Sequence, residues 1–123
     1  MESKKVLIAE DSSVIQNLTK KILQIQNYQI YSAKNGVQVL EMLENEYYDV
    51  ILMDINMPKM DGFTFCSEIR NTDAHKNTPI IIVSTEAEAD DKMQGFKAGA
   101  NLYLVKPVKQ EELVENVQML LQQ

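Results

Sequence analysis

Acidic, hydroxyl and basic residues follow four short apolar runs in this sequence, and together they are the residue types that handle phosphoryl groups. Glu10-Asp11 follows Val6-Leu7-Ile8-Ala9, and Asp54 follows Val50-Ile51-Leu52-Met53. Ser84-Thr85 follows Ile80-Ile81-Ile82-Val83, and Lys106-Pro107 follows Tyr103-Leu104-Val105. Singly, each has an ordinary explanation: Asp11 could cap a helix, Ser84 and Thr85 could cap another, and Lys-Pro is a common loop former. Their coincidence at four strand ends favours a shared site. Three carboxylates within ~5 Å repel by roughly 3 kcal/mol per pair at an effective dielectric near 20, and one lysine offsets only part of that. An all-oxygen cluster of this kind suits a hard divalent cation, and Mg²⁺ fits if a phosphoryl group completes its shell. A carboxylate there becomes a nucleophile toward phosphorus, with the metal, Lys106 and a hydroxyl sharing the charge on the phosphoryl oxygens. The residues point to an aspartyl-phosphate site.

Positioning those residues takes a particular arrangement of elements. Strands are expected at Lys5–Ala9, Gln29–Ala33, Asp49–Met53, Pro79–Val83 and Asn101–Val105. Between them, Ile15, Leu18, Ile22 and Leu23 repeat at helical spacing, as do Val39, Leu40 and Leu43, then Cys66 and Ile69, Met93 and Phe96, and finally Leu113, Val114, Val117, Leu120 and Leu121. Asp11-Ser12-Ser13 supplies N-cap chemistry, Asn35-Gly36 a turn, Gly99 a helix end and Pro107 a stop. The third and fourth strand candidates are apolar throughout, which suits strands covered on both faces in a parallel sheet. Five β-α alternations predict a three-layer α/β fold, a doubly wound (βα)5 sheet of five parallel strands. Ligands of such sheets bind beyond the carboxyl ends of the strands, where all four residue groups would lie.

Composition narrows the function further. The chain has 123 residues, 45% hydrophobic and 24% charged, and a formal net charge of -6. That size suits a single domain over 1–123, with no output domain after it, and the acidic balance disfavours nucleic-acid and anionic-membrane partners. No stretch approaches the ~20 apolar residues of a membrane span. One cysteine and no export signal suit the cytoplasm. Cys66 reads as a small core residue, His75 as a loop residue in the polar stretch 71–77, and Met57 and Met60 as packing at the mouth of the site.

These motifs resemble the receiver domain of two-component response regulators over Lys5 to about Leu121. The resemblance rests on Glu10-Asp11, Met53-Asp54-Ile55-Asn56-Met57-Pro58, Asp61-Gly62, Ser84, Phe96-Lys97-Ala98-Gly99-Ala100 and Tyr103-Leu104-Val105-Lys106-Pro107. It implies the flavodoxin-like strand order 2-1-3-4-5. It also implies Asp54 as phospho-acceptor, with Mg²⁺ held by Asp11, Asp54 and the Asn56 backbone carbonyl and reached by Glu10 through water. Ser84 would hydrogen-bond the phosphoryl group, Lys106 would pair with it, and Tyr103 would be the switch aromatic. The Lys106-Pro107 bond is expected to be cis. The implied function is a signalling switch rather than an enzyme. A histidine kinase or phosphotransfer protein would load it, and helix 4, strand 5 and helix 5 would be read by a separate effector, as in chemotaxis or a phosphorelay. A monomer is expected, with phosphorylation-driven dimerisation left open.

Two departures carry expectations of their own. Thr85 stands where the resemblance implies a very small residue, so its bulk should slow phosphorylation. Asn56 and Glu86 occupy the two positions that tune attack by water, and their polarity implies a short-lived phospho-state. Two other classes fit these residues less well. A phosphatase of the haloacid dehalogenase type needs an acid two residues after its nucleophile, where this chain has Asn56, and a cap insertion. A non-phosphorylated pseudo-receiver or flavodoxin-like binding module would not require the acceptor, metal and lysine positions to be filled, and Glu10-Asp11 would repel a flavin phosphate.

Overall fold

The computed structural model describes residues 3–55 and 62–121. In chain order the elements are β1 (Lys5–Ala9), α1 (Ser13–Gln24), β2 (Gln29–Ala33), α2 (Gly36–Asn45), β3 (Val50–Asp54), α3 (Gly62–Arg70), β4 (Ile80–Ser84), α4 (Ala89–Ala98), β5 (Leu102–Val105) and α5 (Gln110–Leu121). All strand pairs are parallel, in the order β2-β1-β3-β4-β5. The expected architecture and strand order both hold.

Alternation along each strand divides the core into two layers. Leu7, Ile51, Met53, Ile80 and Ile82 pack with Val39, Leu43, Cys66 and Ile69 on one face. Val6, Ile8, Val50, Leu52 and Ile81 pack with Leu23, Leu113, Val117 and Leu121 on the other. Both faces are therefore covered by helices, which is why β3 and β4 are apolar at every interior position.

Three strands differ from expectation by one residue. β3 and β4 begin and end one residue later, and β5 begins one later. Asp54 is in register with Val83, and Ser84 with Val105. Asp54 and Ser84 are thus the last rungs of their ladders, held by the sheet rather than by the loops after it. At the entries, the Asp49 carboxylate accepts from Lys5 N–H at 2.8 Å, and Asn101 Oδ1 accepts from Ile80 N–H at 2.9 Å. Both residues are occupied in bracketing a strand.

The helix faces need more correction. α1 buries Gln16 and Leu23, while Ile15 and Leu18 remain 40% and 57% exposed. α4 buries Gly95 and leaves Met93 and Phe96 about half exposed. The reason at Gly95 is contact distance: a Cβ there would lie 2.9 Å from Tyr103 Cδ2 and 3.2 Å from Ile82 Cδ1, so α4 approaches the sheet through a residue without a side chain. Ser12, not Asp11, caps α1, accepting from Ile15 N–H, and Asn35 caps α2. The N-cap position of α4 is Glu88, which makes no side-chain cap hydrogen bond, so neither Ser84 nor Thr85 caps it.

Candidate functional site

The carboxyl ends of β1, β3, β4 and β5 bring the acidic, hydroxyl and basic residues to one edge of the sheet. Glu10, Asp11 and Asp54 each offer a carboxylate oxygen within 4.8 Å of the others. Glu10 and Asp54 are each 5% exposed, and Asp11 is exposed. Lys106 Nζ lies 3.0 Å from Asp54 Oδ2 and 3.4 Å from Glu10 Oε1. The second Glu10 oxygen accepts from Ser12 N–H at 3.0 Å. Lys106 is itself placed by its own N–H, which donates to the Ser84 carbonyl at 2.7 Å, and its bond to Pro107 is cis, as expected.

Electrostatics here are set by crowding. Burial pushes the Glu10 carboxyl up from its ordinary value, and the Asp54 charge and a hydrogen bond with Asp11 push the same way; the Ser12 N–H and Lys106 oppose them. Desolvation pulls Lys106 down, but its hydrogen bond to Asp54 and the charges of Asp54 and Glu10 outweigh this, and the ammonium ends above its usual value. It stays protonated across the neutral range. Three carboxylates against one ammonium leave excess negative charge at a half-buried place. Hard oxygen donors in that arrangement fit a divalent cation such as Mg²⁺.

Beyond the acids, Ser84 is fully buried and its Oγ accepts from Glu86 N–H at 2.9 Å. The Glu86 carbonyl accepts from Tyr103 Oη–H at 2.8 Å. One peptide segment therefore connects the hydroxyl at the end of β4 with the half-buried aromatic on β5. Thr85 is exposed and lines a cavity of about 480 Å³ that runs from Glu10, Asp54 and Lys106 between α1 and α5, past Ile15, Leu18 and Leu113.

Of the residues expected at the site, Glu10, Asp11, Asp54 and Lys106 come together directly. Ser84, Thr85, Glu86 and Tyr103 lie along the β4–β5 side. Asn56, Met57, Met60 and Asp61 lie outside the described residues. Gln16, whose buried amide reaches the Glu10 backbone, did not stand out in the sequence; its only trace there is its place seven residues before Leu23 on the helix.

Known proteins resemble this chain in sequence and in fold. Residues 6–118 match the family described as the response regulator receiver domain. The transcriptional regulatory protein SrrA of Staphylococcus aureus is 35% identical over 119 residues, which cover 97% of this chain and 48% of that protein. The chain thus spans about half the length of the curated relatives it matches. Among solved structures, the chemotaxis response regulator CheY4 of Vibrio cholerae superposes with a TM-score of 0.91 at 34% identity, over 97% of this chain and 99% of that one. The receiver domain of the sensor histidine kinase PA1611 from Pseudomonas aeruginosa, which has a magnesium ion coordinated in its active-site cleft, gives 0.90 at 31% identity over 99% and 100%.

Proposed function

This chain belongs to the response regulator receiver domain family of two-component systems, and from that membership we propose that it is a phosphorylation-activated switch whose phosphoryl acceptor is Asp54. The observation that carries the reading is the buried Asp54 carboxylate 3.0 Å from Lys106 Nζ, with oxygens of Glu10 and Asp11 within 4.8 Å. An Asp54 oxygen attacks the phosphorus of a phosphohistidine on a histidine kinase or phosphotransfer protein. The new O–P bond forms as the P–N bond breaks, and the imidazole leaves with the electron pair. Lys106 turns from the carboxylate toward a phosphoryl oxygen, so its charge is used in both states. Glu10, Asp11 and Asp54, with the Asn56 carbonyl, would hold Mg²⁺, which supplies positive charge against the phosphoryl oxygens.

Signal output follows from the hydrogen-bond chain. When Ser84 Oγ turns to donate to the phosphoryl group, it gives up the Glu86 N–H. The Glu86 carbonyl, and with it the Tyr103 hydroxyl, is then free to shift, which biases two arrangements of one segment. The face that changes is α4, β5 and α5, where Met93 and Phe96 stand exposed beside Lys92 and Lys97. A downstream effector reads it. The chain promotes its own phosphorylation and dephosphorylation and turns over no other substrate. Action in the cytoplasm is part of this proposal, and among the described residues no helix is long and apolar enough to cross a membrane.

The test is incubation with acetyl phosphate or phosphoramidate, read by intact mass. An adduct of one phosphoryl group should form with Mg²⁺ and be absent when the cation is chelated. Equal adduct with and without Mg²⁺ would contradict the metal assignment, and no adduct at all would contradict activity toward small phosphodonors. In the same assay Thr85→Ala should be phosphorylated severalfold faster, because a methyl replaces the branched side chain beside Ser84; unchanged rates in both directions would contradict a gating role. Adduct persisting for many hours in Mg²⁺ would contradict the short-lived state expected from Asn56 and Glu86.

A further inference from the structure

Gln16 is a polar side chain that α1 turns into the protein, 9% exposed, at a place where an apolar residue would be the ordinary choice. Its Nε2 donates to the Glu10 carbonyl at 3.0 Å and to the Ala33 carbonyl at 3.3 Å. The Ala33 carbonyl also accepts from Glu10 N–H at 3.0 Å, and Gln16 N–H donates to the Ser12 carbonyl at 2.9 Å. The end of β1, the end of β2 and the first turn of α1 are thus closed into one ring of hydrogen bonds around the Glu10 peptide. Both sides of that residue's backbone are pinned, and its carboxylate is held by Ser12 N–H.

We infer that Gln16 is a positioning residue for the acidic loop, holding Glu10 and Asp11 close enough to Asp54 to bind a divalent cation; the inference rests on the receiver-switch reading above. Like charges at this spacing push apart, so something other than their own interactions must hold them. A primary amide suits the task, because it offers two N–H groups to two carbonyls and adds no positive charge beside the acids. Lysine or arginine would donate as well but would partly neutralise the cluster and weaken its attraction for a cation. An apolar residue would leave the Glu10 carbonyl without its amide donor and the loop free to spread its charges.

The experiment titrates MgCl₂ into ¹⁵N-labelled protein and follows the amide signals of Asp11 and Ser12, with thermal melts run in parallel. Gln16→Met keeps the length and volume and removes the donor. Its Mg²⁺ dissociation constant should rise about tenfold, as for loss of a partner that orients a metal ligand. Leu23→Ala is the control: it hollows the same helix face, lowers the melting temperature more, and should leave Mg²⁺ binding within about twofold of wild type because it lies outside the ring. Gln16→Asn, one methylene short of both carbonyls, is read the same way and serves if Gln16→Met does not fold. An unchanged dissociation constant in the Gln16 variants, or an equal rise in Leu23→Ala, overturns the inference while leaving the switch intact. No Mg²⁺ binding by wild type overturns the metal assignment itself, and the inference with it.

Discussion

Asp54→Asn is expected to give no phosphoryl adduct with acetyl phosphate and Mg²⁺, a loss of at least about a thousandfold in rate, as is typical when a nucleophile is removed. The amide that replaces the carboxylate is nearly isosteric and no nucleophile at neutral pH. The remaining carboxylates, Glu10 and Asp11, are not in a position to take over. Glu10 is tied to Ser12 N–H and Lys106, and Asp11 is exposed at the start of the loop. The fold should survive the change. Among the described residues, removing the Asp54 charge ends two repulsions of roughly 3 kcal/mol each at an effective dielectric near 20 and one attraction to Lys106 of similar total size. Lys106 keeps Glu10 as a partner. The melting temperature without divalent cations should therefore be no lower than that of wild type. Adduct on Asp54→Asn at a rate near wild type would place the acceptor elsewhere, and a collapsed melting temperature would contradict the charge balance.

Arg70→Ala should produce the largest loss of stability, about 3 kcal/mol, without touching the chemistry. Arg70 closes α3 and sends its guanidinium across the amino-terminal edge of the sheet. Nε and Nη2 donate to the Gly99 carbonyl at 2.9 and 2.7 Å. Nη1 donates to the carbonyls of His75 and Thr78 at 3.1 and 2.6 Å, and Nη2 also reaches Asn101 Oδ1 at 2.8 Å. One side chain thus serves the α3–β4 and α4–β5 connections together. These acceptors are neutral, and burial pushes the guanidinium below its ordinary value, so the group works as a hydrogen-bond hub and not as half of an ion pair. Gly99 is part of the arrangement: its φ of 114° ends α4, and a Cβ there would sit 2.6 Å from Arg70 Cγ. Truncation leaves three carbonyls without the guanidinium, each worth about 1–3 kcal/mol if fully dry and less at this part-buried site. The urea midpoint should fall by about 1–3 M. Arg70→Lys should recover little, since an ammonium cannot span the same fork. Phosphorylation of the folded fraction should be unchanged, because the site lies at the opposite edge of the sheet. A midpoint within error of wild type would contradict the hub.

The sequence reveals most of the frame because its signals are local. Strand ends, turn residues and uninterrupted apolar runs at 50–53 and 80–83 report on themselves, and so do Glu10, Asp11, Asp54 and Lys106 once strands are known to end in one place. What it hides depends on partners distant in the chain. Ile15 and Leu18 have the right apolarity and spacing but line an open cavity, whereas polar Gln16 turns inward because two carbonyls from β1 and β2 await its amide. Met93 and Phe96 stay outside because α4 must bring Gly95 against Tyr103. His75 is the loop residue that its polar stretch 71–77 suggests, yet it is 1% exposed, bonded to Thr78 Oγ1 and the Leu43 carbonyl and stacked on Tyr47. Arg70 carries no motif at all; its role appears only when the α3–β4 and α4–β5 connections meet.

A phosphoryl group on Asp54 is expected to be felt at Tyr103 through Ser84 and Glu86. Amide NMR of ¹⁵N-labelled protein with Mg²⁺, before and after addition of beryllofluoride as a phosphoryl mimic, tests it most directly, with Asp54→Asn as the paired sample. Shifts are expected at Ser84, Glu86, Tyr103 and along α4 in wild type and none in Asp54→Asn. Shifts confined to the ends of β1 and β3, with Ser84, Glu86 and Tyr103 unmoved, would contradict it.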